Sequence, residues 1–400
     1  MESTGEERHA SWGELFFDLV FVAAIAELAH NLGGDLSAGG FLRFVALFVP
    51  IWWMWVGYTF YADRFDTDDA VYRLLMLTGM LAIAALAVTV HDALSGGSAA
   101  FAIAYIAARL VLIVQYVRAY RHVPAARALC VRYIIAFSGG VAVWAISLLF
   151  APPTRYWLWA LGLALEIGVP ILSLDVVRRT PYDASHIPER FGLFTILVFG
   201  ESVLATVGGV AETDWCPISA LTAAGGFVGI ACLWWIYNNF LEARTLRRGS
   251  LRAGQVFVYG HLPLSLGLVA MAVGTEHAIL EAGGDTLPAG TRWTLCGGVA
   301  LYLFCVTAMR IASRRSGAGV IWAHAAAATT ALGLAVAGGP LPPLVLGGLT
   351  LATLAGLVGF EVLYDNVAAE EAEAGEGQEQ GQEPGGRPAA WATHSSLRSE

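Results

Sequence analysis

The sequence predicts an all-α, polytopic membrane protein of about twelve transmembrane helices, arranged as two tandem parallel six-helix repeats. Three observations carry this reading. The chain is 57% hydrophobic and only 14% charged, outside the balance of soluble domains. Apolar stretches recur at about 20 residues each, enough to cross a hydrocarbon core of about 30 Å. Continuous runs of this kind fit helices, which satisfy their own backbone groups in lipid, whereas a barrel would alternate. Finally, the opening stretch HASWGELFFDLVFVAAIAELAH, residues 9–30, returns 174 residues later as DASHIPERFGLFTILVFGESVL, residues 183–204. Setting Glu27 on Glu201 also sets Ala10 on Ala184, Ser11 on Ser185, Phe17 on Phe191 and Leu19 on Leu193.

The spans follow in order. The first, 14–32, carries Glu14, Asp18 and Glu27 and ends near His30. The second, 41–61, holds Trp52-Trp53 ahead of Phe60 and Arg64, an outline repeated in the eighth, 218–241, by Trp234-Trp235 ahead of Phe240 and Arg244. The third, 72–90, runs into VTVHDAL with His91, and the ninth, 256–279, into VGTEHAIL with His277. Tyr105 of the fourth, 99–120, matches Tyr302 of the tenth, 293–312; Glu166 of the sixth, 156–177, matches Glu361 of the twelfth, 342–364. The fifth, 132–150, the seventh, 191–210, and the eleventh, 319–338, complete the set. Gly338-Gly339 and Gly347-Gly348 read as close helix contacts. The first repeat is placed at 1–180 and the second at 181–368. Six spans per repeat is an even number, so the halves share one orientation, related by an axis along the membrane normal.

Arginines set that orientation. The N-terminal flank and the loops after even-numbered spans hold 17 Arg, the opposite side three, Arg43, Arg155 and Arg292. Positive residues stay inside, so both termini are expected in the cytoplasm, with the protein in a bacterial plasma membrane. The net charge of −9 is misleading, because residues 369–400 hold seven Glu against two Arg and supply −5 of it. That polar, Gly-rich, acidic segment is expected to be a disordered cytoplasmic tail. No basic patch suggests nucleic acid. The acidic start MESTGEE lacks a signal peptide's basic region, so the first helix is expected to stay as a mature span. The five cysteines form no C-x-x-C pair and read as small apolar fillers.

Chemistry falls to the acids inside the spans. A carboxylate at bilayer centre costs about 2.5–3.5 kcal/mol on insertion scales, so it needs a partner, a proton or water. Glu166 and Glu201 stand near the middle of their spans, and Glu27 two-thirds across. Arg109, mid-way along the fourth span, is the deep cation, expected to pair with Glu166 or Glu27. Glu14 and Asp18, four apart, share one helix face; Asp18 and Glu27, nine apart, face opposite ways at 100° per residue. Glu14 fits an acid-stabilised first turn. Asp18 becomes Gly192 in the second repeat, whereas Glu27 and Glu201 are kept in both, making them the favoured ion-handling pair, expected where the first and seventh helices face each other. His30 with His91 or His277 can form an outer pH-sensitive cluster. His186 is read as a helix cap and His261 as serving a backbone carbonyl, while Trp52 and Trp53 are read as packing between repeats. No H-x-x-x-H or H-E-x-x-H spacing occurs, so no metal is expected; nothing resembles a phosphate loop, a nucleotide fingerprint or a nucleophile with its base, so neither a cofactor nor an enzyme is expected.

ELFFDLVFV at 14–22, ERFGLFTILVFGESVLA at 189–205 and the YGHLPL of the ninth span resemble the bacterial low temperature requirement protein A family. The resemblance covers about residues 8–365. It implies a multi-pass membrane protein of a family named for a growth requirement in the cold. Glu14, Phe17, Asp18, Glu189, Arg190, Gly200 and Glu201 stand on the motif positions. Phe16-Phe17-Asp18 is also similar to the helix that opens each repeat of the twice-six-helix potassium channels of endosomes and their bacterial relatives.

Two functions follow as expectations. One is a transporter or ion-conducting protein for a small ion or solute, coupled through Glu27 and Glu201, with Asp18, Arg109, Glu166, His30 and His277 as further binding candidates. The other is a non-transporting protein that supports envelope function in the cold, its acids being structural.

Overall fold

The computed structural model describes residues 11–67, 69–173, 176, 186–213, 215–242, 251–314 and 316–380; the side chains of 242, 251, 252 and 368–380 lie outside that description. Among the described residues, twelve helices are long and apolar enough to cross a membrane. They are α1 (Trp12–Gly34), α2 (Ala38–Phe65), α3 (Ala70–Thr89), α4 (Ser98–His122), α5 (Arg127–Ser147) and α6 (Thr154–Leu172). Then come α7 (His186–Ala211), α8 (Pro217–Glu242), α9 (Leu251–Leu280), α10 (Ala289–Ser313), α11 (Ala318–Ala337) and α12 (Pro343–Gln380). No strand occurs among these residues.

Short polar residues punctuate the chain. Ser11 caps α1 and closes a capping box with Glu14, Ser37 caps α2, and Asp69 caps α3 by accepting from the Tyr72 N–H; each meets backbone donors that have no partner within the helix. The expected spans hold, with shifted ends. α5 starts at Arg127, five residues before its expected start, because Pro124 opens a 3₁₀ turn that leads straight into it. α10 carries one π-turn, Trp293–Gly297, at its crossing with α9. There a Cβ on Gly274 would stand 2.3 Å from the Leu295 nitrogen, so only glycine permits the approach. α12 runs to Gln380, twelve residues into the segment expected to be disordered, since Ala, Glu and Gln favour helix. Residues 381–400 lie outside the description.

Residues 1–358 form one compact unit, and residues 359–400 another. Within the first unit, α1 packs on α2 and α3, α2 on α4, α3 on α4, and α4 on α5; α7 likewise packs on α8 and α9, α8 on α10, α9 on α10, and α10 on α11. The two sets meet through α1 and α2 on one side and α7 and α9 on the other. The seam is aromatic. Trp52, Trp53 and Trp55 are buried, with Trp55 stacked on Phe194 at 4.0 Å, Trp52 edge-on to Phe191 at 6.5 Å, and Trp53 stacked on Tyr259 at 5.9 Å. The expected packing role of Trp52 and Trp53 is what the structure gives them. Large apolar side chains such as Leu81, Val88, Leu149 and Leu172 face outward, as lipid contact requires.

Candidate functional site: an ionic seam between α1, α2 and α7

The buried face of α1 is Glu14, Phe17, Asp18, Phe21, Ala24, Ile25, Leu28, Ala29 and Leu32, a repeat of three and four residues that sets one stripe against the bundle. Two carboxylates therefore enter the interior at the Ser11 end. Phe17 closes the stripe beside them, its ring 4.9 Å from Tyr58. α7 answers with His186 and Arg190, one turn apart and both buried.

Arg190 joins the two acids. Its NH1 lies 2.7 Å from Glu14 Oε1, and its NH2 donates to Asp18 Oδ1 at 2.7 Å. The same Asp18 oxygen accepts from Trp55 Nε1 at 2.8 Å. His186 has a carboxylate beside each ring nitrogen, Asp63 Oδ1 at 2.9 Å from Nδ1 and Glu14 Oε2 at 3.5 Å from Nε2. Glu14 also accepts from the Ser11 N–H at 2.8 Å, so it caps its own helix while binding α7. Five ionisable side chains on three helices thus form one buried network. In such a place the Coulomb attraction has little water to screen it, and loss of any partner leaves a bare charge.

A second buried pair lies inside the first set of helices. Arg109 NH2 is 2.6 Å from Glu166 Oε2, and Tyr105 OH donates to the same oxygen at 2.7 Å. All three are fully enclosed. The Arg109 guanidinium lies 4.7 Å from the Phe137 ring centroid, a cation–π contact. Gly140 makes room: a Cβ there would stand 2.4 Å from Glu166 Oε1. Of the two partners expected for Arg109, Glu166 is the one it has.

The structure does not put Glu27 where it was expected. Glu27 is exposed on the outer face of α1, because nine residues separate it from Asp18 and α1 turns its Asp18 side inward. It therefore does not line a buried seam against α7. Glu201 is half-buried on α7, and Gly200 is exposed. His30 is exposed; His91 Nδ1 meets Asn31 Oδ1 at 2.9 Å, and a Cβ on Gly33 would lie 3.4 Å from His277 Nε2. The three histidines thus gather around the last two turns of α1, with no direct contact among them in the described structure. His261 accepts the role read for it: Nδ1 bonds the Phe257 carbonyl at 2.6 Å, and Nε2 meets Tyr237 OH at 2.9 Å. Glu189 is half-buried beside Arg190. Among the described residues no group of three His, Cys, Asp or Glu is placed to hold a metal ion.

Three members of the network escape a sequence reading. Neither Trp55 nor Asp63 is singled out by the sequence, and His186 reads as a cap. The usable signal was the spacing of four between His186 and Arg190, which repeats that of Glu14 and Asp18 and matches acid to base.

Comparison with known proteins adds a family. The family described as bacterial low temperature requirement A protein matches residues 9–359. The chain is 29% identical over 320 residues to an uncharacterized protein of Rhizobium meliloti (strain 1021), covering 72% of this chain and 77% of that one. The match takes in α1, α7 and the motif residues Glu14, Phe17, Asp18, Glu189, Arg190, Gly200 and Glu201. With eleven of the twelve helices wholly inside the matched range, this chain belongs to the bacterial low temperature requirement A protein family.

Proposed function

We propose that the protein is a proton-coupled membrane transport protein in which Asp18 takes up and releases the coupling proton, at the seam between two like-oriented six-helix halves. One observation carries the reading. Asp18 Oδ1 receives two donors, whereas no donor reaches the buried Oδ2 among the described residues. An unsatisfied polar atom in the membrane interior costs several kcal/mol, and Oδ2 is the Asp18 atom left open to take a proton. Protonation also weakens the hold on Arg190, the residue through which α7 grips α1. Proton uptake at Asp18 thereby loosens one half from the other.

The repeated order of neighbours, α1 to α5 and α7 to α11, supports reading residues 1–180 and 181–368 as parallel repeats, which move against each other around a central site. Arginine placement supports reading the seam as lying at the cytoplasmic end of a protein of the plasma membrane. The solute carried is a small ion or molecule, and Glu27 and Glu201 pass from coupling residues to residues outside the buried seam.

Infrared difference spectroscopy of the reconstituted full chain tests the proton without needing the solute. On lowering the medium from about pH 8 to about pH 5, a protonated-carboxyl band is expected to appear in wild type and in the Glu27→Gln/Glu201→Gln double variant, and to be missing in Asp18→Asn. A band unchanged in Asp18→Asn removes Asp18 from the role. A second reading, a non-transporting scaffold that supports the envelope in the cold, is favoured by the enclosed Arg109–Glu166 pair, which fixes helices and touches no route to either surface. It is the one left standing if no carboxyl band titrates.

A further inference from the structure

We infer that a crevice between α8, α9, α10 and α12 binds one acyl chain of a membrane phospholipid, with the guanidinium of Arg292 placed for the phosphate of the headgroup. The crevice has a volume of 460 Å³ and carries no charged side chain on its walls. Leu221 and Val228 of α8, Met271 of α9, Leu295 of α10, and Gly348 and Leu354 of α12 bound it. Its polar atoms are already satisfied: the hydroxyls of Thr222, Thr275 and Thr350 each donate to a carbonyl one turn back on their own helix, at 2.9, 2.8 and 2.9 Å. A void without unmet hydrogen-bonding groups holds hydrocarbon in preference to water.

Place and size choose the occupant. Leu221, at 62% exposure, and Val228, at 46%, stand on the outer surface of a helix that spans the membrane, so the crevice opens sideways onto lipid. On α12 it runs from Pro343 to Leu354, about 17 Å at 1.5 Å per residue. That matches one leaflet, about half of a ~30 Å core. A single chain of methylenes is slender enough. The headgroup argument comes from Arg292, one turn before Leu295 and so nearer the helix end. Its Nε donates to the Ala335 carbonyl at 2.9 Å, which fixes the plane of the guanidinium, and a Cβ on Gly339, four residues before the crevice's Pro343, would stand 3.1 Å from NH1. The group thus lies by the Pro343 end of the crevice, where its terminal nitrogens are available to a phosphate.

Photolabelling tests this on the full chain in vesicles of phosphatidylethanolamine and phosphatidylglycerol. A phospholipid with a diazirine near the end of one acyl chain is expected to label peptides holding residues 221–229 and 343–354 above all others. Gly347→Phe, at a site where an added Cβ meets nothing within 4 Å, is expected to lower that labelling about tenfold; Gly348→Phe serves as a second filling variant, and the wild-type map stands without either. An Arg292→Gln variant is expected to lose labelling by the phospholipid probe severalfold while keeping it with an uncharged diacylglycerol probe. Labelling spread evenly over all twelve helices, or unchanged by both filling variants, overturns the site. Cross-links from these peptides to a second copy of the chain overturn it in favour of a helix contact. Equal loss with both probes in Arg292→Gln overturns the headgroup assignment.

Discussion

Arg109 and Glu166 have no solvent contact, and each is the other's counter-charge. Removing one partner of such a pair costs about 3–5 kcal/mol, while replacing both with apolar residues is often neutral. Arg109→Leu is therefore expected to lower the thermal midpoint in detergent sharply, and Arg109→Leu with Glu166→Leu to recover most of the loss. Equal damage from single and double variants would show that the guanidinium's stack on Phe137 matters more than its charge. Asp69 gives a different expectation, because it lies in a loop. Its carboxylate accepts the Tyr72 N–H, takes the Thr67 hydroxyl and pairs with Arg118, which together hold it below its ordinary value of 3.8. A depressed value in the fold means that Asp69 stabilises above the unfolded value and stops doing so as pH falls through the folded one. The midpoint of wild type should drop between about pH 5 and about pH 3 by an amount missing in Asp69→Asn.

Among the elements, α1 and α7 meet through charge and α2 supplies the clamp. Trp55 has two duties there, stacking on Phe194 and donating to Asp18. Trp55→Phe keeps most of the stack and deletes the donor. A hydrogen bond to a charged group contributes about 1.5–3 kcal/mol, so that loss is expected in chemical or thermal unfolding. Trp52→Phe is the control, since the Trp52 Nε1 has no acceptor among the described residues; it is expected to cost much less. Similar costs for both would mean that the seam holds by aromatic area alone. That Asp18 and Glu27 face opposite ways was legible beforehand, because 100° per residue over nine residues leaves no choice. Which of the two faces is inside was not legible, since both carry apolar neighbours.

For the whole molecule, the proposal from the arrangement of arginines is that residues 1 and 400 lie on the cytoplasmic side. A green fluorescent protein fused after Glu400 should fluoresce, as it matures only in the cytoplasm, and an alkaline phosphatase fusion at the same place should stay inactive. The opposite pair of signals would invert every statement about sidedness, including the placement of the Asp18 seam. The compactness of residues 1–358 bears on motion too. The two sets of helices share α1, α2, α7 and α9 contacts, so a movement of one against the other must break the Arg190 pairs or carry them along.

Length and apolarity alone determined that twelve helices among the described residues are fit to cross a membrane, because hydrocarbon admits no other backbone solution for such runs. Helix ends at Ser11, Ser37 and Asp69 were equally local, being set by side chains that bond their own backbone. The partners of the charges were not local. Glu14 finds Arg190 across 176 residues of chain and Asp63 finds His186 across 123, and no pattern in the sequence encodes which distant helix arrives beside which. Only packing decides that, since each helix can bury a stripe in several ways and the tertiary structure keeps the one that sets Arg109 against Glu166 and Arg190 and His186 against the acids of α1 and α2.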